Sequence, residues 1–141
     1  MANAAETLRQ HDLRPTAARE WVLGLLTEHT ADGGSITPEA LHRRLAEQGH
    51  RSSLPSVYRV LVELTDAGLV ERFRPAPGAS VFALKRGAHV LHLLCTRCRS
   101  VEVVRDARAA SRLRAVGEAR GFALERVGWS LLGLCKGCSP P

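Results

Sequence analysis

The placing of the cysteines constrains this chain most. There are four, in two pairs of equal spacing, Cys95-Thr-Arg-Cys98 and Cys135-Lys-Gly-Cys138, both in the C-terminal half. A C-x-x-C turn brings two sulfurs onto one side of a metal, and two such turns far apart in sequence make the ribbon-like pattern of a tetrahedral zinc site. The start from Met1 to Asp12 is polar and charged, and no apolar run reaches the length of a membrane span. The expected setting is therefore the reducing cytoplasm, where structural disulfides are rare. The spacing predicts one structural Zn²⁺ per subunit on Cys95, Cys98, Cys135 and Cys138. Four thiolates leave no open position, so such a site is structural rather than catalytic. A redox dithiol, or two free pairs, would leave the doubling unexplained.

The 141 residues allow one domain or two small ones with a real core. With 45% apolar and 24% charged residues the chain is not of the disordered class. Twenty basic against fourteen acidic residues give +6, which suggests a polyanionic partner. The charge is uneven. Residues 1–84 hold nine Arg against ten Asp or Glu, a net −1, and residues 85–141 hold eleven Lys or Arg against four, a net +7. If the first part binds nucleic acid, its arginines must gather on one face. The plainer reading of the rest is a solvated basic helix over Arg105–Arg120.

Before Leu84 the pattern predicts helices followed by a hairpin. Ala4–Gln10 is a weak first helix. Thr16 can cap a second, from Ala17 to about His29, with Trp21, Val22, Leu25 and Leu26 at helical spacing. Thr37-Pro38-Glu39 opens a third, which Gly49 ends. Ser53 caps a fourth, from Leu54 to about Ala67, whose apolar stripe is Val57, Val60, Leu61 and Leu64, and Gly68 stops it. Leu69–Arg74 and Ser80–Leu84 read as strands around Pro75-Ala76-Pro77-Gly78. Such an order describes a winged helix-turn-helix, whose last helix enters the DNA major groove. On that helix Ser56, Tyr58, Arg59 and Glu63 face outward. Ser56, the helix N-terminus and Arg59 suit phosphate oxygens, and Tyr58 suits base edges or thymine methyls. Further on, Val90–Leu94, Ser100–Val104 and Phe122–Leu132 are strand-like, and Asp106–Arg120 is helix-like although Gly117 weakens its last turn.

Several of these segments resemble the ferric uptake regulator (Fur) family. Arg14-Pro-Thr-Ala-Ala-Arg19 is similar to that family's opening, and Ser53-Leu-Pro-Ser-Val-Tyr-Arg-Val-Leu61 with Asp66-Ala-Gly-Leu-Val70 to its recognition helix and exit into the wing. Phe82, His92-Leu-Leu-Cys95, Cys98, Gly133-Leu-Cys135 and Cys138 continue the likeness over nearly the whole chain. The resemblance implies an α+β fold: a winged-helix DNA-binding domain at 1–84, a hinge at 85–89, and an α/β dimerisation domain with the four-cysteine zinc site at 90–141. It also implies a homodimeric repressor on palindromic double-stranded DNA, with Tyr58 and Arg59 in or beside the major groove and Arg14, Arg19, Arg72 and Arg74 on flanking phosphates.

The departures concern the regulatory metal that the family senses. Where the resemblance places its ligands, this chain has Ser35, Ala83, Val90, Val103 and Val127. His89 and His92 remain, with Glu102 one step from the expected acid. His89 and His92 are three apart, so on a strand they point opposite ways, and a one-residue slip puts Glu102 on the other face. The expectation is a retained structural zinc and a reduced or lost metal sensor, with an unidentified effector or none in its place. The alternatives from other classes are a zinc-ribbon module that binds RNA or protein without an operator, and a thiol oxidoreductase, which lacks a βαβ pattern here. No nucleophile, base and oxyanion set is present in the sequence, so no enzyme is expected.

Overall fold

The computed structural model of the chain describes residues 3–30, 34–85, 90–124 and 129–140. The chain divides into two compact units, Met1–Lys85 and Arg86–Pro141.

The first unit begins with four helices: α1 (Ala4–Gln10), α2 (Ala17–His29), α3 (Pro38–Glu47) and α4 (Leu54–Asp66). Each start is fixed by a side-chain oxygen that accepts an otherwise orphaned backbone N–H. Thr16 Oγ1 accepts from Arg19 N, Thr37 Oγ1 from Ala40 N at 3.1 Å, and Ser53 Oγ from Ser56 N at 3.2 Å. Pro38 and Pro55 occupy the first turns of α3 and α4, where no backbone N–H is needed. Gly68 ends α4 in the left-handed region, with φ at 80°, and lets Leu69 N donate back to Leu64 O at 3.0 Å.

The wing follows directly. Strands β1 (Val70–Phe73) and β2 (Val81–Leu84) pair antiparallel, with Arg72 opposite Phe82 and Glu71 opposite Ala83. Ile36, ahead of α3, adds a bridge to Phe82 through two 2.9 Å backbone bonds. Leu26, Leu41, Leu61, Leu64 and Phe82 are completely buried where the helices meet the wing, with Val22 and Leu45 beside them. At about 1.5–3 kcal/mol per large apolar side chain, this burial holds the unit together. The amphipathic design of α4 follows from its stripe: Val57, Val60, Leu61 and Leu64 are buried, so the intervening Tyr58 and Arg59 face solvent.

The second unit contains β3 (Val90–Cys95), β4 (Val101–Arg105), α5 (Ala107–Ala119) and β5 (Trp129–Gly133). The strand order is β4-β3-β5, with β3 antiparallel to β4 and parallel to β5. A parallel neighbour requires a crossover, and α5 lies in it. Asp106 caps α5, and buried Ala110 lies on the helix that packs against β3.

One sequence expectation changes here. The third strand is Trp129–Gly133, not the longer Phe122–Leu132. Phe122–Leu124 instead close the end of α5: Gly121 has φ 82° and Phe122 N donates to Gly117 O at 3.1 Å. Positions 125–128 lie outside the described residues. Gly117, a weak helix former, has a packing reason, since a Cβ there would come within 2.9 Å of a Leu124 methyl. Among the described residues no helix is long and apolar enough to cross a membrane.

Candidate metal centre and nucleic-acid interface

The four cysteines converge. β3 ends in Cys95 and β5 runs alongside it to Gly133, opposite Cys95, so the two C-x-x-C turns leave the sheet at the same end. Their four Sγ atoms lie within 4.8 Å of one another. Cys98 Sγ and Cys135 Sγ are 3.7 Å apart, against an edge of about 3.8 Å for a tetrahedron with bonds near 2.3 Å. The backbone supports the cluster. Cys98 N and Cys135 N both donate to Cys95 Sγ at 3.4 Å, Cys138 N donates to Cys135 O at 3.0 Å, and Thr96 N donates to Gly133 O at 2.8 Å. The four-thiol donor set and its spacing fit a thiolate site for a soft or borderline ion, with Cys95 buried and Cys98 exposed.

The electrostatics of the cluster are uneven. Backbone N–H groups of Cys135 and Cys98 hold the Cys95 thiol down to about 6. Ser100, whose Oγ is 3.1 Å from Cys98 Sγ, lowers Cys98 as well. Cys138 is pushed up to about 12, first by the neighbouring Cys135 sulfur and then by burial. A metal ion held by the four sulfurs would remove this unevenness by replacing the protons with one shared cation. Ser100 escaped the sequence reading because a serine two residues after a cysteine has no distinctive spacing.

The nucleic-acid candidates lie on the first unit. Tyr58 and Arg59 are exposed on α4, and among the described residues none bonds the Arg59 guanidinium. Ser56 is half-buried, and its Oγ accepts from Ser53 Oγ at 2.8 Å beside the helix N-terminus. Arg14 and Arg74 are exposed. Two of the expected phosphate contacts are engaged within the protein. Arg19 Nε donates to Glu63 Oε2 at 3.0 Å and its Nη1 to Arg14 O at 2.7 Å. Arg72 Nε donates to Ser80 Oγ at 3.0 Å and its Nη2 to the Tyr58 hydroxyl. Glu63, read as outward, is thus the partner of Arg19.

An amphipathic capped helix before a two-stranded wing, joined in sequence to a sheet that ends in four converging cysteines, is a pairing that comparison with known proteins can test. The model of the ferric uptake regulator family matches residues 10–131. The chain belongs to that family. It is 33% identical over 134 residues to the ferric uptake regulation protein of Legionella pneumophila, covering 95% of this chain and 97% of that one. The solved ferric uptake regulator of Vibrio cholerae is 30% identical, with TM-score 0.73 over 93% of this chain and 98% of that one. That of Pseudomonas aeruginosa, solved with manganese, is 29% identical, with TM-score 0.78 over 96% and 99%. The chain is accordingly a Fur-family transcription regulator and not an enzyme.

The Fur-family regulatory positions are only partly described. His89 and Val127 lie outside the described residues. His92 is buried on β3, opposite Val103 on β4 and Ser130 on β5. Glu102 is opposite Leu93, so it stands on the other face of the sheet, where it lines an open trough of about 330 Å³ with Leu93 and Leu131. The register does not bring His92 and Glu102 together. Ala83 is buried in β2 and Ser35 half-buried before α3, and both belong to the first unit. Among the described residues the four-cysteine cluster is the only group of three or more His, Cys, Asp or Glu that could hold a metal.

Proposed function

We propose that this Fur-family regulator is a cytoplasmic homodimeric repressor that binds palindromic double-stranded DNA, holds one structural Zn²⁺ per subunit, and has a reduced or lost metal sensor. The observation that carries the DNA reading is the exposed Tyr58–Arg59 pair on α4, a helix whose opposite face is locked into the core. In this reading α4 enters the major groove, Tyr58 and Arg59 meet base edges, and Arg14, Ser56 and Arg74 meet phosphates. The family membership and the DNA-binding domains of the Vibrio cholerae protein support it.

Dimerisation is supported by the second unit. Among the described residues β5 pairs on one side only in the three-stranded sheet, and Leu131 and Leu132 on it are more than half exposed. Leu113, Val116 and Phe122 are exposed nearby in sequence. An apolar edge of this kind requires cover, and a second copy supplies it while placing two α4 helices on two half-sites. The domain limits 1–84 and 90–141 belong to the same proposal.

Zinc on Cys95, Cys98, Cys135 and Cys138 would join the two C-x-x-C turns and close the end of the sheet, supplying folding energy to a small unit. The reduced sensor is supported by the separation of His92 from Glu102 and by Ser35, Ala83 and Val103 at positions where the family resemblance implies ligands. A duplex selected from a random-sequence pool, tested by mobility shift with metal content measured in parallel, checks the proposal. One zinc per chain and retention of a palindromic duplex by a dimer are expected. Selection of no common sequence, or binding as a monomer, would overturn it.

A further inference from the structure

At the surface the wing and α4 meet in a side-chain cluster around Arg72. Arg72 projects from β1 and is held from two directions, by Ser80 Oγ ahead of β2 at 3.0 Å and by the Tyr58 hydroxyl on α4. Its guanidinium carbon lies 5.3 Å from the centre of the Tyr58 ring and 5.6 Å from that of Phe82. These two rings meet edge to face, with centroids 6.2 Å apart and planes at 89°. Phe82 is fully buried, whereas Tyr58 is 37% exposed. A planar, permanently charged guanidinium suits both the stacked and the hydrogen-bonded parts of this arrangement.

We propose that Arg72 is a positioning residue: it holds the Tyr58 phenol in one orientation, so that base reading by α4 depends on the wing, and it does not serve as a phosphate clamp. The inference rests on the reading of α4 as the recognition helix. Ordering Tyr58 before DNA arrives removes part of the entropy lost on binding. It also limits the phenol to one set of base partners. With Arg72 unable to reach it, Tyr58 samples other rotamers and accepts other bases, and specificity falls more than general affinity. Arg74, two residues further along, is exposed, and no described residue bonds its guanidinium, so it remains available for phosphate.

Tyr58 is the only tyrosine, so labelled tyrosine gives a single set of ring resonances. In the free protein Arg72→Lys, which keeps the charge but loses the planar fork, moves these resonances, while the remote Arg9→Lys does not. On a duplex selected by the wild-type protein, Arg72→Lys and Tyr58→Phe each reduce discrimination against single-base variants. The double variant is no worse than the poorer single one, a coupling of about tenfold, or roughly 1.4 kcal/mol. The salt slope is unchanged. Melting curves for each variant confirm folding, and the two conservative changes serve if Arg72→Ala destabilises the wing. Strictly additive losses, full discrimination with lysine, or a salt slope lower by about one in Arg72→Ala would overturn the proposal. A protein that binds no duplex at all would instead overturn the regulatory reading, and this inference with it.

Discussion

Arg19 on α2 and Glu63 on α4 form an ion pair at 3.0 Å, with 20% and 35% of their side chains exposed. The pair joins the helix whose opening resembles the family's arginine-threonine-arginine segment to the back half of the proposed recognition helix. Arg19 also donates to Arg14 O, so α4, α2 and the chain ahead of α2 are connected through one guanidinium. To reach a phosphate, Arg19 has to leave Glu63.

Glu63→Gln tests that competition. Removal of the carboxylate releases Arg19 and adds one net positive charge to the surface that bears Tyr58 and Arg59. Stability falls by about 1 kcal/mol, the upper end for an exposed pair because this one is partly buried. Affinity for random duplex rises, and its salt slope steepens by about one. Urea unfolding and binding titrations at several salt concentrations measure the two effects. An unchanged salt slope would mean that Arg19 stays away from DNA even when free.

Arg59→Ala separates base reading from phosphate attraction on the proposed recognition helix. Arg59 is exposed on the same α4 face as Tyr58, and its guanidinium is uncommitted among the described residues. A loss of about 1–3 kcal/mol on the selected operator, with preference relaxed at one base position, is expected. Titration against all single-base variants of the operator provides the check. A uniform loss across these duplexes, with the salt slope reduced by about one, would assign Arg59 to the backbone.

Much of this arrangement was legible in the sequence, and what was not has a common cause. The starts of α2, α3 and α4 were readable because Thr16, Thr37 and Ser53 are local caps and the apolar stripes behind them keep helical period. The C-x-x-C turns announced themselves by spacing, and the sheet brings all four sulfurs together. Side-chain pairs set by packing carry no such signal. Arg19 and Glu63 are 44 residues apart and Arg72 and Tyr58 are 14 apart, so both arginines looked free for phosphate. The strand-like pattern starts at Phe122, ahead of the actual strand, because the structure uses Phe122–Leu124 to close α5 against Gly117.

The uneven thiols make metal binding at the cysteine cluster dependent on pH. Cys95, at about 6, is largely thiolate at neutral pH, but Cys138, raised to about 12, keeps its proton. Zinc must displace that proton. Between about pH 6.5 and 8 apparent zinc affinity therefore rises by about tenfold per pH unit for each thiol still protonated. Below the Cys95 value affinity falls more steeply, since Cys95 must then lose its proton as well. Competition with a chromophoric chelator across this range measures the slope. Cys98→Ser removes one donor, so zinc content and the melting temperature of the second unit should fall together. Full zinc content with an unchanged melting curve would remove the cluster from a structural role.

The last prediction concerns the sensor. His92 is opposite Val103, and Glu102, on the other face of the same sheet, is opposite Leu93. A zinc, iron or manganese site needs three or more converging donors, and Ser35, Ala83 and Val103 contribute none of the strong ones. His89, the remaining candidate, lies outside the described residues and is three positions from His92 in the sequence. DNA binding is therefore expected to be independent of added regulatory metal. The measurement is a titration on the selected operator with structural zinc retained and free divalent ions chelated, repeated with Fe²⁺, Mn²⁺ or Zn²⁺ added. An affinity within a few-fold in every case is expected. A rise above about a hundredfold corresponds to a coupling of roughly 3 kcal/mol, the upper end of ordinary allostery, and would show that His89 and His92 are completed by ligands from elsewhere. In that event His92→Ala should abolish the response, while without a sensor the same substitution leaves DNA binding equally independent of added metal.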